Sequence, residues 1–285
     1  MNLIALFLVC FSSLAHSQLV EIETIDCMVS FLDDGLLLKQ VKNPDPCEQF
    51  LLVLDATACA IAESIELPIN RVKILPPHTA FPGKKWLELP ATLHTLVPGH
   101  SIPESDREVR IHQRMHQAGR ATQWPLPPER EGLNPTIIEN MARHPDLPGI
   151  VALDTFVGNA DRSQPNLFYD PLSDRYFGID LAASFCSALG RVACVQIERF
   201  RAQNRQFSME EQAALASYAH TLERLLNRWT PEAIESLLLE NAEKAGFIRS
   251  SSLWNPAVEE RMNAHRKLIR SNYKAIVELV LHLKA

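Results

Sequence analysis

Within "GNADRSQPNLFYDPLSDRYFGIDLAASF", residues 158–185, Asp161, Asn166 and Asp180 surround two short aromatic-rich runs. The runs, "NLFY" and "RYFGI", are joined by Asp170-Pro171-Leu172-Ser173-Asp174, a composition suited to a turn. Antiparallel pairing of such runs brings the residue that precedes the first beside the residue that follows the second. Those residues are Asn166 and Asp180, and Asp161 lies on the loop that enters the hairpin at the same end. Three oxygen-bearing side chains are therefore expected at one mouth. A small set of oxygen ligands without His or Cys suits magnesium, which keeps waters and takes one or two protein groups besides phosphate oxygens. Phosphoryl transfer requires such an ion to neutralise charge and a carboxylate to orient the attacking hydroxyl.

The segments that must hold this hairpin divide into two kinds. "CMVSFL" and "LLLKQV" flank Asp33-Asp34-Gly35, a strong hairpin signal. "PCEQFLLVLDATACAIAESIELP" places Phe50, Val53, Leu54, Thr57, Ile61 and Ile65 at three- and four-residue steps, which predicts one helix closed by Leu67-Pro68. "RVKIL" and "KWLELPATLHTLV" read as further strands. Residues 98–135, rich in Pro, Arg and His, read as a connector with a short helix. Beyond Pro135 the chain turns helical, from "PTIIENMARH" into "GIVALDTFVGN". Three later helices carry explicit signals: a capping box of Ser208 with Glu211, N-cap and N1 pairs Thr230-Pro231 and Asn255-Pro256, and Gly246 as a stop.

Composition narrows the function classes. With 285 residues, 46% hydrophobic and 22% charged, the chain can bury a substantial core. A formal charge of −6 without a basic run leaves no electrostatic footprint for nucleic acid. No internal stretch reaches the roughly 18 uninterrupted apolar residues of a membrane span. The cysteines form no C-x-x-C pair, which argues against a zinc site or a disulfide framework. Cys186 and Cys194 are the nearest pair, and both are expected as small buried hydrophobes.

Asp161-Arg-Ser-Gln-Pro-Asn166 has the four-residue gap that separates the catalytic Asp from the metal-binding Asn in protein kinases. "FVGNADRSQPNLFYD" with "GIDLAASF" resembles the D-R-x-x-x-N and I-D-x-x-x-x-F pattern of the HipA-like and phosphatidylinositol 3-/4-kinase-like branch of that superfamily. The resemblance is sharp over residues 153–185 and loose over 28–185. It implies an α+β, bilobal fold with a small strand-rich N-lobe containing one helix, residues 18–97, and a larger helical C-lobe, residues 98–285. It further implies ATP and Mg2+ as cofactors, Asp161 as catalytic carboxylate, and Asn166 and Asp180 as metal ligands. "DDGLLLKQ" is similar to the strand that carries a phosphate-binding lysine, which points to Lys39. The following helix supplies an acidic partner in such proteins, with Asp55 the candidate and Glu48 the alternate. A carboxylate among the apolar neighbours of Asp55 is costly unless paired, and Lys39 would pair it. For the acceptor, no sequence feature chooses among a protein serine or threonine, a phosphoinositide and a small alcohol, and a protein or lipid hydroxyl is the working expectation. No G-x-G-x-x-G occurs, so the phosphate-cradling residues are not assigned, and "LVPG" at 96–99 falls where a hinge would face adenine.

Blander readings stand beside these. Asp161 and Arg162 also fit an Asx-turn with a surface ion pair, Lys39 and Lys42 fit solvated strand positions, and Asn159 fits either a turn or a hydrogen bond to the loop backbone. Asp170 and Asp174 read as turn formers, and His112, His116 and His144 show no metal spacing. A catalytically silent kinase-fold module that binds a partner protein is the rival to an active phosphotransferase.

At the N-terminus Leu3–Phe11 form an apolar block before Ala15-His16-Ser17, the pattern of a secretory signal peptide over residues 1–17. Secretion or periplasmic location follows if it is cleaved, and cytoplasmic location if it belongs to the fold. An exported fusion of the chain is expected to yield Gln18 as its first residue by N-terminal sequencing. Recovery of the exported protein with Met1 intact would overturn the cleavage.

Overall fold

The computed structural model describes residues 20–23, 27–32, 35–80, 87–101, 138, 141–159, 161–162, 166–202 and 206–284. The expected leader, Asp33 and Asp34, the connector from 102 to 135 with His112 and His116, and Ser163 to Pro165 lie outside the described residues.

The expected α+β division is observed. The smaller part is an antiparallel five-stranded sheet of β1 (Val20–Glu23), β2 (Cys27–Phe31), β3 (Leu36–Val41), β4 (Val72–Leu75) and β5 (Ala91–Thr95), in the order β1-β2-β3-β5-β4. Helices α1 (Pro46–Gln49) and α2 (Leu51–Glu63) connect β3 to β4. The larger part opens with β6 (His100–Ser101) and helix α3 (Leu147–Val157). It continues through the hairpin β7 (Leu167–Asp170) and β8 (Arg175–Gly178) into α4 (Leu189–Ala202), α5 (Met209–Arg228), α6 (Pro231–Lys244) and α7 (Pro256–Lys284). Among the described residues no helix is long and apolar enough to cross a membrane.

Local chemistry accounts for most boundaries. Asp45 caps α1 by accepting from the Cys47 amide, and Pro46 stands in its first turn. The Ser208–Glu211 capping box closes on both sides, the Thr230 side chain accepts from the Ala233 amide, and Asn255 accepts from the Val258 amide. Three expectations change. The single helix over 46–68 divides at Phe50, the strand over 85–97 shortens to β5, and α4 had no anticipated counterpart. The start of α4 is set from a distance: Asn272 on α7 accepts from the Gly190 amide at 2.7 Å, so no neighbouring residue signals it. Cys186, expected to be buried, is exposed, and none of the five described cysteines is in a disulfide.

Helix α2 explains how the two parts cohere. Ten of its residues from Leu52 to Ala62 are buried, so it has no solvent face, and a helix apolar all round belongs in an interior. Its apolar residues join one continuous core with α3, α5, α6 and α7. Polar ties fix it to the larger part as well. Asn241 donates to Thr57 at 3.0 Å, the Trp229 indole N–H to Ser64 at 2.8 Å, and Arg224 to the Ile65 carbonyl at 2.8 Å. Beyond α2, Gly178 donates to the Pro68 carbonyl at 2.9 Å and Asn70 to the Gly178 carbonyl at 3.3 Å, which ties the post-helix loop to β8. The acidic helix is thus packed between the sheet and the helical part and tied to the latter.

The loop that carries Asp161 starts from Gly158, which ends α3 in the left-handed region at φ 64°. A Cβ there would lie 2.2 Å from the Ser187 carbonyl oxygen, whereas at Gly35, with φ 75°, it would meet nothing within 4 Å. Gly35→Ala is therefore expected to cost only the left-handed penalty, about 1 kcal/mol. Gly158→Ala adds a backbone overlap and should cost at least about 2 kcal/mol, a fall in Tm of roughly 3 °C or more. Thermal denaturation of the two variants checks the order; equal losses would contradict it.

Candidate active site

Strand β3 places Lys39 opposite Val29 on β2 and Thr92 on β5, on the sheet face turned to α2. Its Nζ lies 2.9 Å from Asp180 Oδ1 and 3.8 Å from Asp55 Oδ2, so one ammonium sits between a carboxylate of α2 and one that follows β8. The Lys39 side chain is 13% exposed, that of Asp55 is fully buried, and that of Asp180 is 38% exposed. Burial alone would lower the Lys39 pKa; the charges of Asp180 and then Asp55 outweigh it and hold the group well above the usual lysine range. For Asp180 burial acts upward, and the Lys39 charge and hydrogen bond overcome it, so the carboxyl stays below its usual value. Glu48, the alternate partner, lies on α1, and Lys42 is exposed; neither is placed against Lys39.

Asp55 has further work. Its Oδ1 accepts from the Leu181 amide at 3.0 Å and from the Cys59 thiol at 3.6 Å. The α2 carboxylate therefore fixes both the lysine and the backbone next to Asp180. His94 Nε2 stands 3.9 Å from Asp55 Oδ2, and the ring is held by Asn70 and Thr92 at 2.8 Å each. Burial lowers the pKa of His94, so this imidazole is neutral at pH 7 and leaves Lys39 as the cation beside Asp55.

The hairpin forms as expected, with one difference in register. Leu167 pairs with Gly178, and the Ile179 amide donates to the Asn166 carbonyl at 3.0 Å. Asn166 thus faces Ile179, and Asp180 lies one residue further along, in the left-handed region at φ 54°. That turn out of the strand lets its carboxylate meet Lys39. Asp170 and Asp174 form the opposite end: Asp170 accepts from the Leu172 amide and the Ser173 hydroxyl, and Asp174 accepts from the Tyr169 hydroxyl.

Arg162 is not a surface residue. Its side chain is 1% exposed and makes a two-bond fork on Asp154 of α3, with Nε to Oδ2 and Nη2 to Oδ1 at 2.9 Å each. Its Nη1 donates to the carbonyls of Asn166 and Ile179. Asn159 donates to Asp154 Oδ1 at 2.9 Å and accepts from the Asp161 amide at 3.2 Å. Asp154, Asn159 and Arg162 are the site residues that sequence reasoning passed over or left open. A signal existed: Asp154 sits inside the apolar helix "GIVALDTFV", where a lone carboxylate demands a partner, the argument that supported pairing Asp55 with Lys39.

Asp161 itself is exposed at the mouth. Partial desolvation of its carboxylate, and then the charge of Asp180, raise its pKa above the ordinary value, with Arg162 opposing. The donor set fits a hard cation. Asn166 spends its amide N–H on the Asp161 carbonyl at 2.9 Å, which directs Oδ1 elsewhere, and Asp180 retains a second carboxylate oxygen. Among the described residues no group of three or more His, Cys, Asp or Glu is placed to hold a metal ion, so such an ion would need ligands beyond those side chains, as magnesium on phosphate does. Within residues 96–99 the Leu96 amide is committed to the Gly35 carbonyl, and Gly99 packs against the backbone of Tyr169.

No family model matches the chain, and no curated protein matches it. Among solved structures it is similar to the Helicobacter pylori proinflammatory kinase CtkA, with 11% identity, 93% of this chain and 94% of that one covered, and a TM-score of 0.49. It is similar to HipA of a Shewanella oneidensis toxin–antitoxin system, with 12% identity, 90% and 61% coverage, and a TM-score of 0.45. It is also similar to the ADP-bound aminoglycoside phosphotransferase APH(2'')-Ib, with 10% identity, 95% and 98% coverage, and a TM-score of 0.31.

The two carboxylates at the mouth give a charge-coupling prediction. Because Asp180 raises the pKa of Asp161, Asp180→Asn should lower it, seen as a shift of the Asp161 carboxyl titration to lower pH by carbon-detected NMR. A raised folded pKa means that Asp161 destabilises the fold above its ordinary titration range and that protonation relieves this. Asp161→Asn should therefore stabilise the fold relative to the parent above the Asp161 titration range, and this gain should disappear at pH 3, where the parent carboxyl is protonated. An unchanged titration in Asp180→Asn would show that the two carboxylates do not interact.

Proposed function

We propose that the chain is an ATP- and Mg2+-dependent phosphotransferase of kinase type that transfers the γ-phosphoryl group to a protein or lipid hydroxyl. One observation carries the reading: Lys39 and Asp180, 141 residues apart, meet at 2.9 Å at the mouth that also presents Asp161 and Asn166. A cation for phosphate oxygens, two oxygen ligands for a metal and one further carboxylate are the parts that this reaction uses.

Lys39 holds phosphate oxygens, and Asp55 keeps its ammonium in place. Asn166 and Asp180 would hold magnesium, which would supply charge neutralisation on the phosphates. Asp161 accepts the proton of the acceptor hydroxyl as that oxygen attacks the γ-phosphorus. One P–O bond forms to the acceptor, the bond to the β-phosphate oxygen breaks, and ADP leaves with that electron pair. A raised Asp161 pKa makes the carboxylate a stronger base, and transfer should rise with pH through its titration. Val97 is the candidate for adenine contact at the hinge, since the Leu96 amide is occupied and Pro98 has none.

The roles separate by substitution. Mg–ATP should raise the Tm of the parent by mass action, and ATP without metal should not. Asp180→Ala should abolish the shift. Asp161→Asn should keep nucleotide affinity, measured by calorimetry, and lose transfer by about two or more orders of magnitude, the scale of a lost general base. Normal turnover of Asp161→Asn would overturn its role. ATP bound without transfer to any acceptor in a protein and lipid panel would establish a silent nucleotide-binding module instead.

A further inference from the structure

Asp154 touches neither cleft nor mouth: its side chain is 3% exposed, on the inner face of α3. Its two oxygens nevertheless lead to every loop residue assigned above. Through Oδ1 it accepts from the Asn159 amide group, and Asn159 in turn accepts from the Asp161 backbone N–H. Through both oxygens it accepts from Arg162, whose remaining nitrogen Nη1 holds the carbonyls of Asn166 and Ile179. One chain of hydrogen bonds ends at the backbone amide of the residue whose carboxylate would act on the acceptor. The other ends at the two backbone positions that carry or precede the proposed metal ligands.

We infer that Asp154 is a positioning residue that sets the two halves of the site through separable arms, Asn159 for Asp161 and Arg162 for Asn166 and Asp180. The kinetic consequences rest on the phosphotransferase reading; the structural consequences rest on the geometry alone. The arms differ in kind. The Asn159 arm is built from neutral donors onto the carboxylate. The Arg162 arm is a buried charge pair beneath Gly178, where a Cβ would come 2.5 Å from the Ile69 side chain and 3.3 Å from Nη2. Removing Asp154 strands a buried guanidinium, which is a folding defect as much as a positional one. Variants of the single arms are therefore the informative ones.

The test uses the full chain with Asn159→Ala and Arg162→Lys, each accepted only if its thermal transition remains cooperative. Amide hydrogen exchange is read at Asp161, whose N–H bonds Asn159, and at Ile179, whose N–H bonds the Asn166 carbonyl. Asn159→Ala should speed exchange at Asp161 by about tenfold, the scale of one lost hydrogen bond, and leave Ile179 unchanged. Arg162→Lys keeps the charge, loses the fork, and should speed exchange at Ile179 by about as much with a smaller effect at Asp161. In the active protein Asn159→Ala should lower kcat by about tenfold with Mg–ATP affinity within about twofold. Arg162→Lys should weaken Mg–ATP binding by about tenfold. If either variant loosens both amides equally, or neither amide responds, the two-arm assignment is wrong. Should exchange divide as expected while the parent transfers no phosphate, the arms stand and the phosphotransferase reading fails alone.

Discussion

Lys39 is a cation held between two carboxylates that arrive from different parts of the molecule. Nearly enclosed, it is costly to bury, and only paired charges offset that cost. Asp55 is fully enclosed, so neither charge is tolerable without the other. This constraint orders the rest. The sheet must present β3 with Lys39 toward α2, α2 must hold Asp55 at that height, and the chain leaving β8 must turn through a left-handed residue to bring Asp180 in. Asp55 links the last two demands, since its other oxygen accepts from the Leu181 amide.

The packing of α2 shows which surfaces are fixed. The helix shares its core with the helical part and is tied to it by Asn241, Trp229 and Arg224, while Pro68 and Asn70 engage Gly178. Asp55 and Asp180 are therefore parts of one unit. Lys39 comes from the sheet, whose Ile74 joins the same core and whose Cys27 and Val41 pack against Leu52 of α2.

Much of this was legible in the sequence, and for identifiable reasons. The hairpin announced itself through alternating aromatic runs and a turn of Asp, Pro and Ser, and the later helices through caps that use neighbouring residues. Asp55 was legible because a carboxylate in an apolar helix needs a cation. What escaped depends on distant partners. The start of α4 is capped by Asn272 from another helix, and the break at Phe50 leaves the apolar periodicity intact. Arg162 also fitted a surface ion pair because one acidic neighbour looks sufficient locally; its fork on Asp154 and its two carbonyl bonds exist only once α3 and the hairpin are packed. The one-residue offset between Asn166 and Asp180 follows from a left-handed backbone angle that a non-glycine sequence does not advertise.

The central claim is that Asn166 and Asp180 hold a divalent ion on nucleotide phosphate beside Lys39. Carbon electron–nuclear double resonance on the purified chain, carrying 13C-labelled Asp carboxyls and loaded with Mn2+ and ATP, addresses it without an acceptor. The account predicts a coupling between the ATP-bound ion and a labelled carboxyl carbon in the parent, and its loss in Asp180→Asn under the same loading. Couplings that are identical in parent and variant, or absent from the parent, would contradict it.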